Sequence, residues 1–407
     1  MKNNPLHYGW VIAASGILVL FSCIGLARFG FTVLIPGMQA GLGLSYQQLG
    51  SIGTTNFIGY LLAVFFAPTL IKRFQPRRMI VFGLTVIGIS MSAVAGCRGF
   101  YGVCLFYTLT GLGTGFANIP MMTLTTAWFD KKRRGKAAGL VICGNGLGII
   151  FVGFAVPLCN QLFGTEGWRR SWLLLGLISL AIAVSAGFLL RNKPAEMGLV
   201  PVGHDETPKS TRPTSSARSS ADGRGFLLLL SSLYLIFGAT FMIYGTFIVT
   251  TMINDYGFSE KTAGMYWSWV GFFSFFSGIT FGTLSDKIGR RYGLTAVFTI
   301  QTASYLLAGL QLGPTPLVAS IILYGLAVFA APAIVTAAIG DHFSSDRVAR
   351  AFANATFFFA FGQTIGPALA GFIGGEAESF AAAYLVAAGL TTMAAIGALK
   401  LPAHSTR

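Results

Sequence analysis

The sequence predicts an all-α polytopic membrane protein, with twelve transmembrane helices in two six-helix halves. Three observations predict it. Of the 407 residues, 54% are hydrophobic and only 10% charged, a balance that soluble domains do not show. The apolar residues gather into twelve long runs, each near the ~20 residues that a helix needs to cross a ~30 Å hydrocarbon core. A single long polar stretch divides those runs six and six. A membrane barrel would instead show runs of about 10 residues with alternating polarity.

In order, the runs lie near 9–39, 47–71, 78–97, 101–128, 136–162 and 170–191, then 225–252, 260–284, 292–312, 315–340, 349–374 and 379–400. The first follows MKNNPLHYGW without a small-residue cleavage site, so it reads as helix 1 and not a removable signal. Pro36, Pro120, Pro157, Pro332 and Pro367 fall inside runs and should kink or soften their helices. GNGLG at 144–148 lies within a run and follows no strand, so it reads as close helix packing and not a phosphate cradle. The polar stretch 192–224, rich in Ser, Thr, Pro and charge, reads as a flexible linker. Residues 1–191 and 225–407 are then the two halves.

The net charge of +15 is distributed as membrane topology requires. Twenty-three basic residues, from Lys2 through the Lys72–Arg78 and Lys131–Lys136 clusters to Arg407, fall on one side of the predicted spans. Only Arg98, Arg169, Arg170 and Lys261 fall on the other. This bias places both termini in the cytoplasm and the chain in the cytoplasmic (inner) membrane. It implies contact with the lipid bilayer and no nucleic-acid partner. The five cysteines lie in or beside spans without metal-ligand spacing; Cys97 and Cys104 flank one short outer turn and are the one pair open to a disulfide. No cofactor, metal cluster or catalytic constellation is expected, and a monomer is.

Internal similarity supports two halves. Phe129, Arg133, Lys136 and Ala137 correspond to Phe343, Arg347, Arg350 and Ala351 at an offset of 214, between the fourth and fifth spans of each half. Arg77-Arg78 match Arg290-Arg291 at an offset of 213. Parallel six-helix repeats with a midplane site are the architecture of rocking transporters.

Arg28 is the candidate functional residue that stands out. It lies alone in an apolar run, where a cation costs several kcal/mol and is expected to face a watery cavity. No Asp or Glu lies in the interior of any other run, Glu260 standing at the very start of one, so the counter-charge of Arg28 is expected to arrive with a substrate. Its planar fork of donors suits a carboxylate or phosphate. The alternative is a structural or gating role, on backbone carbonyls and tyrosines. Asn56, Tyr60, Asn118, Asn145, Tyr244, Tyr324, Asn354 and Gln363 lie at similar depth and could complete a pocket, although interhelical hydrogen bonding is the commoner use of such groups. Tyr266, Trp267 and Trp269 could wall that pocket, and for Tyr266 and Trp267 an interfacial belt is equally open.

Gly282-Thr-Leu-Ser-Asp286-Lys287-Ile-Gly289-Arg290-Arg291 resembles the signature loop of the major facilitator superfamily, with its fixed positions filled. The resemblance implies a gating latch at Asp286, Arg290 and Arg291, with Arg133 and Arg347 as gate residues of the fourth-to-fifth loops. The first-half copy, Pro68 to Arg78, lacks the acidic residue and the glycines. HYGWVIAASGILVL, WFDKKRRGKAAGLVICGNGLG, GWRRSWLLLGL and RNKPAEMGLVP resemble the monocarboxylate porter and oxalate:formate antiporter group. ARFGFTVLIPGM, around Arg28, is similar to a group of bacterial facilitators with Arg at this point. That group implies transport of a small organic anion, with protons or by exchange. Relatives commonly hold the carboxylate with a basic residue within helix 8 or 11; here the interior of neither helix has one, so if the protein binds an anion the task falls to Arg28. The alternative is a drug or metabolite exporter of the same superfamily, and an enzyme or a sensor finds no support in the sequence.

Overall fold

The computed structural model describes residues 7–130, 133–203, 222–343 and 345–402. Lys2, Lys131, Lys132, Arg407 and residues 204–221 of the predicted linker lie outside them. Among the described residues the chain forms twelve long helices and no strand. These are α1 Gly9–Leu42, α2 Tyr46–Phe74, α3 Pro76–Ala95, α4 Phe100–Trp128, α5 Arg134–Phe163 and α6 Gly167–Leu189, then α7 Asp222–Asn254, α8 Glu260–Ile288, α9 Arg290–Gly309, α10 Pro314–His342, α11 Ser345–Ala377 and α12 Ala381–Ala398. It is a multi-pass α-helical membrane protein.

Nine stretches are long and apolar enough to cross a membrane, one of them, Arg134–Leu189, comprising α5 and α6 end to end. The weakly apolar α8 and α9 carry Ser and Thr where other helices carry aliphatics. Their hydroxyls return to carbonyls one turn back, as in Ser268→Gly264 (3.0 Å), Thr295→Arg291 (2.8 Å) and Thr302→Phe298 (2.9 Å). Local bonding of this kind satisfies a polar group within its own helix.

The chain divides into two compact units, Met1–Phe31 with Ile58–Thr211, and Thr32–Phe57 with Arg212–Arg407. The tip of the α1–α2 hairpin therefore groups with the second unit, a feature that the division into 1–191 and 225–407 does not contain.

In the first unit, α3 packs along α4 and α6, and α1 lies along α5. Trp128, Trp168 and Trp172 are buried in it. Ser22–Ser179 (2.9 Å) and Ser90–Thr110 (2.8 Å) pair hydroxyls across helices. The start of the predicted flexible linker is docked here. Val202 forms an isolated bridge with Phe129, Trp128 Nε1 donates to Arg191 O (2.9 Å), and His7 Nε2 lies 3.0 Å from Val200 O. Backbone groups of 190–202 find partners at the end of α4, which a composition-based reading does not see.

In the second unit, α7 packs along α11, α9 along α12 and α8 along α10. α10 is interrupted at Val328–Phe329, four residues before Pro332, whose ring nitrogen cannot donate to the carbonyl of residue 328. Phe329 N bonds Ser277 Oγ instead (3.0 Å). The hairpin tip seats on α7 and α11: Thr32 Oγ1 donates to Gly245 O (2.6 Å) and Thr54 Oγ1 to Thr364 O (2.9 Å). Gly50 meets Gly371 so closely that a Cβ on Gly50 would lie 2.4 Å from Pro367 O. All five cysteines are free, so the Cys97–Cys104 pairing does not form.

Candidate functional site

Arg28 lies on an irregular part of α1. From Phe21 to Phe29 the helix runs in the wide π register before returning to α. π segments are rare, mostly single turns, and are frequent at functional sites. Here the cause is tertiary. Gly25 crosses α5 at Gly148, where a Cβ on Gly25 would sit 2.6 Å from Gly148 Cα, and Gly144 presses against Ile17 O. Two carbonyls of the π stretch are met by side chains of α4. Thr114 Oγ1 lies 2.9 Å from Cys23 O, and Tyr107 OH lies 3.2 Å from Ala27 O.

The Arg28 guanidinium stands over the Tyr60 ring, 4.6 Å from its centroid. Both side chains are half-buried. Cation–π stacking uses the face of the guanidinium and compensates part of its desolvation. Its N–H groups point in the plane, the edge that a carboxylate takes in bidentate pairing. Behind the pair, Tyr107 is fully enclosed, with Phe31 at 4.8 Å and Trp172 at 5.6 Å between ring centroids. No Asp or Glu occurs within α1 to α6.

The structure thus joins Arg28 to Tyr60 and adds Tyr107 and Thr114, which the sequence analysis missed. A signal was present: Tyr107, Thr110 and Thr114 recur at helical spacing on one face of the otherwise apolar α4. In the same unit, Asn118 is half-buried and Asn145 buried, and the Asn145 side-chain oxygen has no hydrogen-bond partner among the described residues.

The other predicted pocket residues belong to the second unit. Asn56, on the hairpin tip, is buried. Tyr244 and Tyr324 are fully buried and stacked at 4.4 Å, with Tyr244 OH on Ser320 Oγ (2.7 Å) and Tyr324 OH donating to Phe241 O (2.9 Å). Ser304 and Ser320 exchange hydroxyl-to-carbonyl bonds of 2.8 and 2.7 Å beside them. Both tyrosine hydroxyls are thus engaged inside the unit. Gln363 is buried, and Asn354 is exposed and accepts from Ser231 (3.3 Å). Trp267, for which pocket wall and interfacial belt were both open, is fully buried, whereas Trp269 keeps 36% of its surface and stacks edge-on to Tyr266. Two positions apart, and so about 200° round the helix, these residues face opposite ways.

Residues 20–399 match the family described as uncharacterised MFS-type transporter YbfB. The chain belongs to that family. It is a membrane transporter of the major facilitator superfamily, a class that handles small metabolites, and not an enzyme. It is 24% identical to a probable hexose phosphate transport protein of Chlamydia pneumoniae over 67% of this chain and 64% of that one, so it spans under two thirds of that relative's length. It is 23% identical to monocarboxylate transporter 2 of Homo sapiens, over 90% of this chain and 81% of the other. Its fold is similar to that of a bacterial homologue of the human lysosomal transporter Spinster, with TM-score 0.74 and 17% identity over the whole of both chains.

In the transporter's second unit, the signature loop is built round Arg290. Its Nε donates to Asp341 (2.8 Å), and its Nη1 donates to Ser285 Oγ (2.7 Å) and to Asp286. The guanidinium ties the α8–α9 turn to the end of α10. Asp341 was missed because it stands outside the loop in sequence. Gly289 needs its lack of a side chain, having φ +93°. Gly282 has open space where a Cβ would stand. Arg291 stacks on Tyr292 at 4.4 Å and bonds its hydroxyl. Arg133 caps the α4–α5 connection, its N donating to Asp130 Oδ1 (3.0 Å), and Arg347 is exposed at the start of α11. In the first unit, Arg77 donates to the carbonyl of Gly187, at the end of α6.

Proposed function

We propose that the protein moves a small organic anion, a monocarboxylate, across the cytoplasmic membrane by alternating access, with both termini cytoplasmic. The observation that carries this reading is the Arg28 guanidinium, set within an apolar helix on the face of Tyr60, in six helices that contain no carboxylate. Such a group is costly to keep in a membrane, and an anion that binds it in the plane of its fork offsets that cost. Asn145, with an unengaged side-chain oxygen, is available for a polar part of the same ligand. The anion-handling relatives support the reading. In it, a single copy forms the translocation unit, and transport proceeds with a proton on the acid or by exchange for a counter-anion. The seat of the hairpin tip on α7 and α11, through Gly50 and Gly371, is a contact that such a cycle must open and re-form.

The test is uptake of labelled lactate, pyruvate and formate into proteoliposomes. Arg28→Gln should lower uptake at least about 100-fold, the loss expected when a charge-assisted bidentate contact disappears, while membrane insertion and monodispersity stay unchanged. Wild-type uptake by the variant removes Arg28 from the site. Resistance to lipophilic cations that survives Arg28→Gln favours the exporter alternative.

A further inference from the structure

We infer that Thr114 and Tyr107 are positioning residues that hold α1 in its π register and so aim the Arg28 guanidinium at Tyr60. The inference rests on the reading of Arg28 as the anion-binding group.

Nine residues of π-helix are far more than the single-turn bulge that helices usually tolerate. Contacts from outside must favour that register. Four lie along it. Ser22 is bonded to Ser179, Cys23 O receives Thr114, Gly25 is locked against Gly148, and Ala27 O receives Tyr107. The first and third fix where the helix lies. The second and fourth act on its carbonyls, the groups that change partner when a helix passes from i→i+5 to i→i+4 bonding.

Neither donor is committed to one acceptor. The Thr114 hydroxyl lies equally close to Thr110 O, and the Tyr107 hydroxyl also reaches Arg28 O at 3.5 Å. Each therefore supplies a shared proton, which keeps the wide register within reach of the ordinary one. Tightening the segment by one residue would turn the C-terminal remainder of α1 by about 100° round the helix axis, carrying Arg28 off the Tyr60 face. Thr32 is bonded to Gly245 four residues beyond Arg28, so a turn of this size would be absorbed between Gly25 and Thr32, where Arg28 sits.

The test needs no ligand. In detergent-purified, monodisperse protein, two readouts follow α1: amide hydrogen exchange over residues 21–30, and the rate at which phenylglyoxal labels Arg28, with Arg169 as internal reference. Thr114→Val and Tyr107→Phe should each speed exchange about ten-fold, the effect expected from losing one buried hydrogen bond. They should change Arg28 labelling at least three-fold relative to Arg169, and Thr114→Ser should restore both. Either readout at its wild-type value in the double variant overturns the inference. Thermal shifts with lactate separate this from the anion reading. If Arg28→Gln still responds to lactate while labelling changes in the double variant, the anion reading fails and the register stands. If Arg28→Gln loses the response while the double variant labels like wild type, the positioning role alone fails.

Discussion

The first half of the chain builds its polar interior round a charge, and the second builds it round hydroxyls. In α1 to α6, Arg28 stands on Tyr60, backed by Tyr107 and by side chains that meet the carbonyls of a π segment. In α7 to α12, Tyr244, Tyr324, Tyr384, Ser304 and Ser320 are fully buried and bonded to one another, to backbone or to Thr251. Hydroxyls both donate and accept, so they close into pairs that need nothing from outside. A guanidinium only donates, and on the proposed reading it is matched to the transported anion, an acceptor that comes and goes. On the proposed reading, ligand chemistry belongs to the first half and rigidity to the second.

That assignment is sharpened by Tyr244→Phe. It breaks the 2.7 Å bond to Ser320 and should cost about 1 kcal/mol, typical of an interhelical hydrogen bond in a membrane, while leaving anion uptake at the wild-type level. A fall in uptake out of proportion to the loss in thermal stability would place the second half in the site.

The turns between the second and third helices of each half invite the same comparison. In the second half, Gly289 takes φ +93° and Arg290 is held by Asp286 and Asp341. In the first half, the corresponding turn residue is Gln75 at φ 66°, ψ 152°, a region nearly reserved for glycine, and Arg77 donates to a backbone carbonyl, the loop 68–78 itself having no acidic residue. A side chain held there costs about 1–3 kcal/mol. Gln75→Gly gives up its contact with Asn192 and some chain entropy, and should still stabilise the protein by about 1 kcal/mol in thermal denaturation. Destabilisation would show that Gln75 is needed for more than the turn.

The smallest effect concerns Asp255, just past α7, whose carboxylate accepts from Ser379 (2.8 Å) and Gln311 (3.2 Å). Burial pushes its carboxyl above the usual range, against the pull of those two hydrogen bonds. The folded state therefore holds this proton more tightly than the unfolded chain. Its contribution is complete below the ordinary carboxylate range and is lost as pH rises through the raised value. Thermal stability should decline slightly as pH rises above about 4, and Asp255→Asn should flatten that slope. An unchanged slope assigns it to another group.

Much of this architecture was legible in the sequence, because a membrane writes its demands as long apolar runs and one-sided basic charge. Arg28 was legible for the same reason, as the one charge in such a run. Its setting was not. The π segment is met by tertiary contacts from α4 and α5, and no local pattern in α1 announces it. Asp341 joins the signature loop only in three dimensions, and the docking of 190–202 on the end of α4 depends on backbone partners that composition does not reveal.

Binding to the purified protein tests the central claim most directly: calorimetric titration of lactate, pyruvate and formate into wild type, Arg28→Lys and Arg28→Gln. Wild type should bind at least one acid, Arg28→Lys should bind it about ten-fold more weakly because the charge stays and the fork goes, and Arg28→Gln should not bind it. Equal affinity in all three proteins would contradict the claim that this guanidinium holds the transported anion.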